Sequence, residues 1–423
     1  MKYSPKYKYS IFNNILTPLP GVSVLYNSRS KNIMRLADGG LPASPDLLSV
    51  SALDAFKKFG YVVDHSCDEA KDVFGEMIAN LSSAKNFYMV INPTLCCNCR
   101  CWYCIENHPE GSRMSKDTLE KIKARILDIL PRVETFTISF FGGEPFLEFE
   151  SVVKPMMVWL REVCDHHAKP LYIIFTTNGL LVDEKKLSFL KEFPNQEYQI
   201  TLDGGRESHN NTRVLKNGDS YAKVINTIKL LAENGLKVLV RLNLTHDNVE
   251  TAFQIPESFR GLSDAAKGNL TMSCQQVWQD AKNGSLHDKF LEIKRRFIHI
   301  GIHPRTSDGD WIKEGCYADN LHCVTVNYNG DLFKCTAIDY NPADAIGYVA
   351  EADYWDKLND CFNKFIERKQ SLKDCHYCRI LPLCGRGCYK KLMIGSEGCR
   401  YPSDEDKDHL ILSILENLTL DRV

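Results

Sequence analysis

The sequence lacks the features that place a protein in a membrane or in the secretory pathway. No run approaches the roughly 18 consecutive apolar residues that a membrane-spanning helix requires. The basic N-terminus has no apolar core of the kind found in signal peptides. The net charge at pH 7 is −2, so no excess of positive charge favours nucleic acid or an anionic membrane surface. We therefore expect a cytoplasmic protein that binds neither nucleic acid nor membrane.

Cysteine, in contrast, is abundant and clustered. The 423 residues include 17 cysteines, of which five lie between residues 96 and 104. A further eight, not counting Cys361, lie between residues 316 and 399. Disulfide frameworks rarely cluster in this way, and a reducing compartment disfavours them. The cysteines therefore indicate metal ligation.

Three cysteines of the first group, Cys97, Cys101 and Cys104, have the spacing C-x3-C-x2-C and follow a strand-like apolar run. An iron–sulfur cluster normally takes four thiolates, so three leave one iron open for a ligand that is not protein. A zinc knuckle or a set of buried structural thiols is the alternative. Cys96 and Cys99 add ambiguity, because they form a second ligand-like pair.

Residues 86–305 alternate strand-like and helical runs, which predicts a parallel α/β sheet. Six such units are too few for a closed eight-fold barrel, so we expect an open, partial (β/α)6 barrel. Functional residues on such sheets gather at the carboxyl ends of the strands. The predicted strands are 87–91, 135–140, 171–176, 198–202, 237–245 and 269–274, and the predicted helices are 115–130, 148–167, 183–193, 220–235 and 285–300.

The cysteine trio and the polar residues that follow later strands resemble the radical S-adenosylmethionine (SAM) enzyme family. Tyr103 precedes the last cysteine of the trio, a Gly-Gly-Glu-Pro sequence follows the second strand, and Thr201 and Asn210 stand where the family has Ser and Asp. The resemblance implies a [4Fe–4S] cluster whose open iron binds SAM and whose reduction yields a 5′-deoxyadenosyl radical. It also implies SAM contacts from Gly142, Gly143, Glu144, Pro145, Thr177, Asn178, Thr201, Asp203 and Arg213.

The second group of cysteines resembles the SPASM domain, which holds auxiliary [4Fe–4S] clusters. Eight thiolates can ligate two clusters fully, which gives three [4Fe–4S] clusters in the whole chain. A pair of zinc sites with the same ligand count is the alternative. The resemblance implies one cluster on Cys316, Cys323, Cys335 and Cys388 and a second on Cys375, Cys378, Cys384 and Cys399.

The segment before the first core strand has short strands followed by helical runs, one of them over 46–59 and one capped by Ser66 or Asp68. It resembles the winged-helix domains with which ribosomal-peptide maturases hold a leader peptide. A packing extension of the core is the alternative. The sequence thus predicts three domains: 1–85, winged-helix-like; 86–305, the radical SAM core; and 306–423, the SPASM domain.

The resemblance implies an enzyme that modifies a ribosomally made precursor peptide (RiPP biosynthesis), by an intramolecular thioether or carbon–carbon crosslink. A flavodoxin- or ferredoxin-type electron donor is the expected partner. An anaerobic sulfatase maturase, which forms formylglycine, is one alternative, although Thr336 follows Cys335 where that branch has Asp. A non-catalytic peptide-binding or electron-transfer iron–sulfur protein is another. No residue stands out as a catalytic base.

Overall fold

The computed structural model describes residues 5–19, 21–37, 40–83, 85–215, 218–280, 282, 284–305, 315–385, 387–395, 399 and 401–420. Contacts between residues divide the chain into two compact units. The first unit contains the described residues of 1–83, 307–321 and 359–423. The second contains those of 84–306 and 322–358.

The N-terminal part of the first unit has two small antiparallel sheets and two α-helices among its described residues. β1 (Tyr7–Tyr9) pairs with β5 (Val62–Asp64), and β2 (Asn13–Leu19), β3 (Val22–Asn27) and β4 (Ile33–Arg35) pair in that order. The helices are α1 (Val50–Lys58) and α2 (Glu69–Leu81).

The first residue of both helices follows from a capping side chain. Asp68, one of the two predicted caps, accepts a hydrogen bond from the backbone N–H of Lys71 and begins α2. The single helix predicted over 46–59 was wrong at its start. Ser49 accepts from the N–H of Ala52, so α1 begins only at Val50, after a separate 3-10 turn at Pro45–Leu47.

The second unit is built on one mostly parallel sheet. In chain order its strands are β6 (Asn86–Ile91), β7 (Thr135–Phe140), β8 (Leu171–Thr177), β9 (Gln196–Leu202), β10 (Lys237–Leu244), β11 (Leu270–Gln276), β12 (His303–Pro304), β13 (Cys323–Val326), β14 (Asp331–Phe333) and β15 (Gly347–Tyr348). Among the described residues the order across the sheet is β12-β11-β10-β9-β8-β7-β6-β13-β14-β15. The predicted α/β fold with a parallel sheet is confirmed.

Pairing in this sheet is parallel from β12 to β13 and antiparallel beyond. The six predicted strands correspond to β6–β11. β13 continues the sheet by pairing parallel with β6, so that Val324 lies opposite Met89. β13, β14 and β15 then pair antiparallel. The described strands therefore form an open sheet with β12 and β15 at its edges.

Helices connect the parallel strands. Ser115, Asp183, Asp219 and Ser263 cap four of them through side-chain oxygens. The helices are α3 (Lys116–Ile129), α4 (Lys154–His166), α5 (Glu184–Leu190), α6 (Arg206–Thr212), α7 (Ser220–Glu233), α8 (Asp264–Gly268) and α9 (His287–His299), followed by α10 (Tyr354–Ser371), α11 (Leu381–Cys384), α12 (Tyr389–Met393) and α13 (Asp404–Leu420).

The helix predicted over 148–167 was too long at its N-terminal end. A 3-10 turn at Pro145–Glu148 and a π turn at Phe149–Val153 precede α4. Pro155 stands in the first turn of α4, where its missing N–H costs no helical hydrogen bond. The Gly-Gly-Glu-Pro sequence thus leads into a tight turn instead of a regular helix.

The first unit has cores shared between distant parts of the chain. Leu16, Val24 and Tyr26 pack in one cluster with Ile380 and Ile411. A second cluster joins Phe12, Ala70 and Val73 to Leu381. The sheet of β2–β4 and helix α2 are therefore held by C-terminal residues. Among the residues described, no helix combines the length and the apolar character that crossing a membrane requires.

Candidate functional site

The first cysteine group lies in the loop that leaves the carboxyl end of β6. Cys97 and Cys101 are partly buried and Cys104 is exposed. A hydrogen bond with Cys99 and burial raise the pKa of the Cys97 thiol, and burial raises that of Cys101 to about 11. These thiols hold their protons at neutral pH, so a metal that binds them must displace those protons.

The loop docks on the glycines that follow β7. The N–H of Gly143 donates to the carbonyl oxygen of Thr94 at 3.1 Å, and the N–H of Glu144 donates to that of Cys96 at 2.9 Å. A Cβ on Gly143 would lie 2.1 Å from the Cys96 oxygen, and one on Gly142 would lie 2.4 Å from the Thr94 oxygen. Only glycine permits this approach of the two backbones, which explains both glycines without reference to a ligand.

Glu144 joins three of the predicted motifs. Its buried carboxylate accepts hydrogen bonds from the Thr177 hydroxyl at 2.8 Å and from the backbone N–H of Asn178 at 2.8 Å. Burial raises its pKa even though these donors oppose the shift. Asn178 Nδ2 in turn donates to Asn98 Oδ1 in the cysteine loop at 2.7 Å. The ends of β7 and β8 therefore fix the position of the loop from two sides.

Tyr103 ties the other side of the loop to β9 and β10. Its hydroxyl donates to Asp203 and accepts from Arg213 Nη2 and from Asn243 Nδ2, each at 3.0 Å. Arg213 Nε also donates to Asp203 at 2.7 Å. Burial raises the pKa of the Tyr103 hydroxyl, so it stays protonated and can donate. Asp203 and Arg213, two predicted SAM contacts, thus hold the loop in this structure.

His209 lies beneath this network as a neutral ring. Its side chain is fully buried, and burial lowers its pKa to about 4. The backbone N–H of Asp203 donates to His209 Nδ1 at 3.2 Å. His209 Nε2 has no hydrogen-bond partner among the described residues. The ring therefore packs between α6 and the end of β9 without carrying charge at neutral pH.

Glu106 is a second buried carboxyl, just beyond the cysteine loop. It is 8% exposed, and its Oε1 has no hydrogen-bond partner in the described part of the chain. Burial, together with the nearby thiol of Cys104, raises its pKa to about 8. The group is therefore largely protonated at neutral pH and adds little negative charge beside the cysteines.

The loop cysteines fit an iron–sulfur cluster in their chemistry. Within the described residues, no group of three or more Cys, His, Asp or Glu side chains is arranged to hold a single metal ion. In a [4Fe–4S] cluster each thiolate binds a different iron, so Cys97, Cys101 and Cys104 need not converge on one point. The backbone bonds to Gly143 and Glu144 hold the loop at the end of the sheet, where such a cluster would be bound.

The second cysteine group is distributed over both units. Cys323 and Cys335 belong to the second unit, where both are buried at the two ends of the β13–β14 hairpin. The other six belong to the first unit. Two of them, Cys388 and Cys399, are exposed, and four are partly buried: Cys316, Cys375, Cys378 and Cys384. The two predicted auxiliary ligand sets stay predictions.

A cavity of about 490 Å³ lies beside the cysteine loop within the second unit. Trp102 and Tyr103 form one wall, and residues that follow β10 and β11 form another. Polar side chains predominate in the lining, among them Glu207, Asn211, Thr245, Asp247 and Asn248. The lining therefore offers hydrogen-bond partners to a ligand beside apolar surface from residues such as Trp102 and Val277.

The sequence did not identify Asn98, Asn243 or the role of Tyr103. Asn243 lies within a predicted strand, and the alternation of that strand could have placed its side chain on the polar face. Asn98 offers no such signal, because its partner Asn178 is distant in sequence. Pro145 and Thr201 make no side-chain hydrogen bond to the other predicted SAM contacts in the described residues.

Part of the second unit is similar to a known family of proteins. Residues 91–258 match the model of the Radical SAM superfamily, which confirms the resemblance seen in the sequence. The match includes the cysteine loop and the Gly-Gly-Glu-Pro, Asp203 and Arg213 positions.

Three curated relatives extend this match. The chain is 26% identical over 172 residues to Fe-coproporphyrin III synthase of Methanosarcina barkeri, covering 41% of this chain and 40% of that protein. It is 25% identical over 317 residues to mycofactocin maturase MftC of Mycobacterium ulcerans, covering 70% of this chain and 80% of that protein. It is 31% identical over 138 residues to a cysteine-type anaerobic sulfatase-maturating enzyme of Clostridium perfringens, covering 30% of this chain and 36% of that protein. The chain thus spans about two fifths of the length of the first of these relatives.

Two solved structures share the fold. One is anSMEcpe with bound AdoMet and a Cp18Cys peptide, with a TM-score of 0.60 and 19% identity over 79% of this chain and 96% of that chain. The other is SuiB of Streptococcus suis bound to the precursor peptide SuiA, with a TM-score of 0.54 and 16% identity over 92% and 97%. At these identities the likeness establishes the fold alone.

Proposed function

We propose that the protein is a radical SAM enzyme that modifies a ribosomally made precursor peptide. When bound, the [4Fe–4S] cluster and SAM supply the electron and the 5′-deoxyadenosyl radical that abstracts a hydrogen atom. One observation carries the proposal: hydrogen bonds join all the motifs at the strand ends to the one loop that bears Cys97, Cys101 and Cys104.

In this proposal the chain's own residues position the loop and exclude water. Gly142 and Gly143 let the loop approach the end of β7, and Glu144 fixes the turn after β8. Tyr103, Asp203 and Arg213 form a hydrogen-bonded group on the other side, in which Asp203 and Arg213 are buried and Tyr103 is partly buried. Fixed polar groups of this kind hold a ligand without reorganising when it reacts. Five of these residues are also SAM contacts proposed from the sequence: Gly142, Gly143, Glu144, Asp203 and Arg213. The remaining proposed contacts are Pro145, Thr177, Asn178 and Thr201.

The proposed substrate is a peptide. SuiB was solved with a precursor peptide, SuiA, and anSMEcpe with a Cp18Cys peptide, and both share this fold. The cavity beside Trp102 and Tyr103 has room for side chains of an extended peptide. An intramolecular thioether or carbon–carbon crosslink is the proposed product, with a flavodoxin or ferredoxin as electron donor.

The proposal includes two auxiliary [4Fe–4S] clusters on the eight C-terminal cysteines. Three clusters require about twelve irons per chain, since each contains four. Iron and acid-labile sulfide should be measured after anaerobic reconstitution, together with zinc. About twelve irons support the full set. Four irons per chain, or stoichiometric zinc, would mean that only the loop after β6 binds a [4Fe–4S] cluster.

The product should be tested by mass spectrometry. Candidate peptides encoded beside the gene are incubated anaerobically with reconstituted protein, SAM and dithionite. Loss of two hydrogens, with no fragmentation between the two joined residues, supports a crosslink. A variant with Cys97, Cys101 and Cys104 all replaced by Ala is the matched control and should leave the peptides unchanged.

Formylglycine formation is the second candidate, because the sulfatase-maturating relative has the highest identity of the three relatives described. The same assay with a short peptide containing Cys in a sulfatase-type motif separates the two proposals. Conversion of that Cys to an aldehyde favours the second candidate. An unchanged Cys peptide together with a crosslinked precursor favours the first.

A further inference from the structure

The C-terminal segment 375–384 packs against the N-terminal part of the chain, within the first unit. Cys375 lies in a 3-10 turn that ends at Cys378, and Cys384 is the last residue of α11. Cys375 and Cys378 pack against the apolar cluster that contains Phe12. Cys378 and Cys384 pack against the cluster that contains Leu16. Three predicted ligands of one auxiliary cluster therefore lie along a surface built largely by N-terminal residues.

Hydrogen bonds fix the residue that follows Cys378. The hydroxyl of Ser28 donates to the carbonyl oxygen of Arg379. The Arg379 guanidinium donates through Nη1 to Asn14 Oδ1 at 2.8 Å and to Asp408 Oδ1 at 2.7 Å. Asn14 Nδ2 in turn donates to Ser28 Oγ at 2.9 Å. One N-terminal pair of side chains thus binds both the main chain and the side chain of Arg379.

This contact is buried on the N-terminal side. Asn14 and Ser28 are each 1% exposed, and Ile380, the residue after Arg379, is also 1% exposed. If the 375–384 segment moved away, the Asn14 oxygen would lose the guanidinium while still withdrawn from water, which is unfavourable. The backbone between Cys378 and Ile380 is therefore held in one position before any metal binds.

Such a position suits the donors of an iron–sulfur cluster. The segment carries three cysteines within ten residues, and each thiolate of a [4Fe–4S] cluster binds a different iron. Ligands bind a metal group best when the residues around them already fix their orientation. In the 375–384 segment that support comes from β2 and from the turn after β3, which are distant in sequence from the cysteines.

We propose that Asn14 and Ser28 position the ligands of an auxiliary cluster by holding Arg379. The proposal rests on the auxiliary clusters of the proposed function. It gives the N-terminal segment a role that does not depend on binding a peptide. The cluster concerned is the one assigned from the sequence to Cys375, Cys378, Cys384 and Cys399.

The test uses protein in which Cys97, Cys101 and Cys104 are all replaced by Ala, so that bound iron belongs to the auxiliary clusters alone. After anaerobic reconstitution this background should contain about eight irons per chain, four for each cluster. Adding Ser28→Ala or Arg379→Met should lower the content to about four. Both variants leave every auxiliary cysteine in place, so a loss of iron reports on the positions of the ligands.

Two control variants remove similar contacts elsewhere in the first unit. Ser30→Ala deletes an exposed hydroxyl that donates to the carbonyl oxygen of Phe59 at 2.7 Å. Lys407→Gln deletes an ion pair with Asp404 at 3.1 Å. Both should keep about eight irons. Arg379→Lys keeps a cation but not the planar fork, so it should retain more iron than Arg379→Met.

Hydrogen exchange supplies a readout that a merely structural contact would not change. A cluster that binds only the folded segment stabilises the elements packed against it. In the background protein the hydrogen-bonded amides of β2 should therefore exchange at least ten-fold more slowly with iron than without it. Ser28→Ala should remove this difference. The amides of α5, in the second unit, should exchange at the same rate in both forms.

The proposal is overturned if Ser28→Ala and Arg379→Met both keep about eight irons, or if iron does not slow exchange in β2. In that case the auxiliary clusters stand and only the positioning role is rejected. If the background protein binds no iron, the auxiliary clusters of the proposed function are absent and the positioning role fails with them. If Ser28→Ala does not fold, Arg379→Met decides, because it leaves the N-terminal residues unchanged.

Discussion

Gly143 is the position at which an added methyl group should displace the cysteine loop most strongly. A Cβ there would lie 2.1 Å from the carbonyl oxygen of Cys96 and 2.5 Å from that of Leu95. Both contacts are to backbone, so no side chain can rotate away. In Gly143→Ala the loop must therefore separate from the end of β7.

The cost can be estimated from two contributions. Overpacking in a well-packed region costs about 1–3 kcal/mol. Separation of the two segments also stretches the hydrogen bonds from the N–H groups of Gly143 and Glu144, each worth about 1 kcal/mol. We expect Gly143→Ala to lower the free energy of unfolding of the second unit by roughly 3–5 kcal/mol in total.

The assay combines thermal unfolding with iron analysis. For a unit of this size each kcal/mol shifts the melting temperature by roughly 2–4 °C, so a fall of about 6–20 °C is expected. Iron bound after reconstitution should fall by about four per chain, the content of one cluster. Gly268→Ala is the control, because a Cβ on Gly268 meets nothing within 4 Å. A Gly143→Ala protein that melts and binds iron like the wild type would refute the docking of the loop on Gly143.

Two further predictions concern the loop. Tyr103→Phe removes the hydroxyl that joins Asp203, Arg213 and Asn243, and unfolding by denaturant should show a loss of about 1–3 kcal/mol. Tyr172→Phe, at a ring that is 44% exposed, should change nothing, and equal losses in the two variants would remove the special role of Tyr103. Glu106 has its pKa raised by burial from 4.5 to about 8, so the folded state binds a proton that the unfolded state has released between those values. Stability of the metal-free protein should therefore fall as pH rises from 5 to 8. Glu106→Gln should remove the contribution of this carboxyl to the fall, a total of at most about 5 kcal/mol at 1.36 kcal/mol per pKa unit. A slope that is identical in the Gln variant would contradict the burial of Glu106.

Local sequence patterns predicted the parallel core well. The runs at 135–140 and 171–176 are apolar and bounded by helical segments, and the structure has strands at Thr135–Phe140 and Leu171–Thr177. Asp68 was one of two predicted caps, and in the structure its side-chain oxygen accepts a hydrogen bond from a residue three positions on. These features depend on neighbours in the chain, so they can be inferred from short segments.

Long-range pairings could not be inferred in the same way. β13 lies beside β6 although more than 230 residues separate Val326 from its partner Ile91. Leu16 and Tyr26 pack against Ile411 across most of the chain. No local pattern specifies which apolar surfaces meet, because many pairings bury similar areas. Deletion of residues 1–83 would expose the core around Ile411, so point substitutions are the better test of a peptide-recognition role for this segment.

In the candidate site, too, local motifs could be predicted from the sequence and long-range contacts could not. The cysteines, the glycines and the strand-end polar residues were visible as motifs, because each motif occupies a few adjacent positions. Their mutual hydrogen bonds were not visible. Glu144 to Thr177 and Tyr103 to Asn243 are contacts between separate strand ends, and only the folded sheet brings them together.

Reductive cleavage of SAM tests the central claim most directly. Reconstituted wild-type protein, supplied with SAM and dithionite under anaerobic conditions, should produce 5′-deoxyadenosine and methionine, measured by liquid chromatography. The variant with Cys97, Cys101 and Cys104 replaced by Ala should produce none. Production of 5′-deoxyadenosine by that variant, or none by a wild-type protein that contains iron and binds SAM, would contradict the proposed radical SAM function.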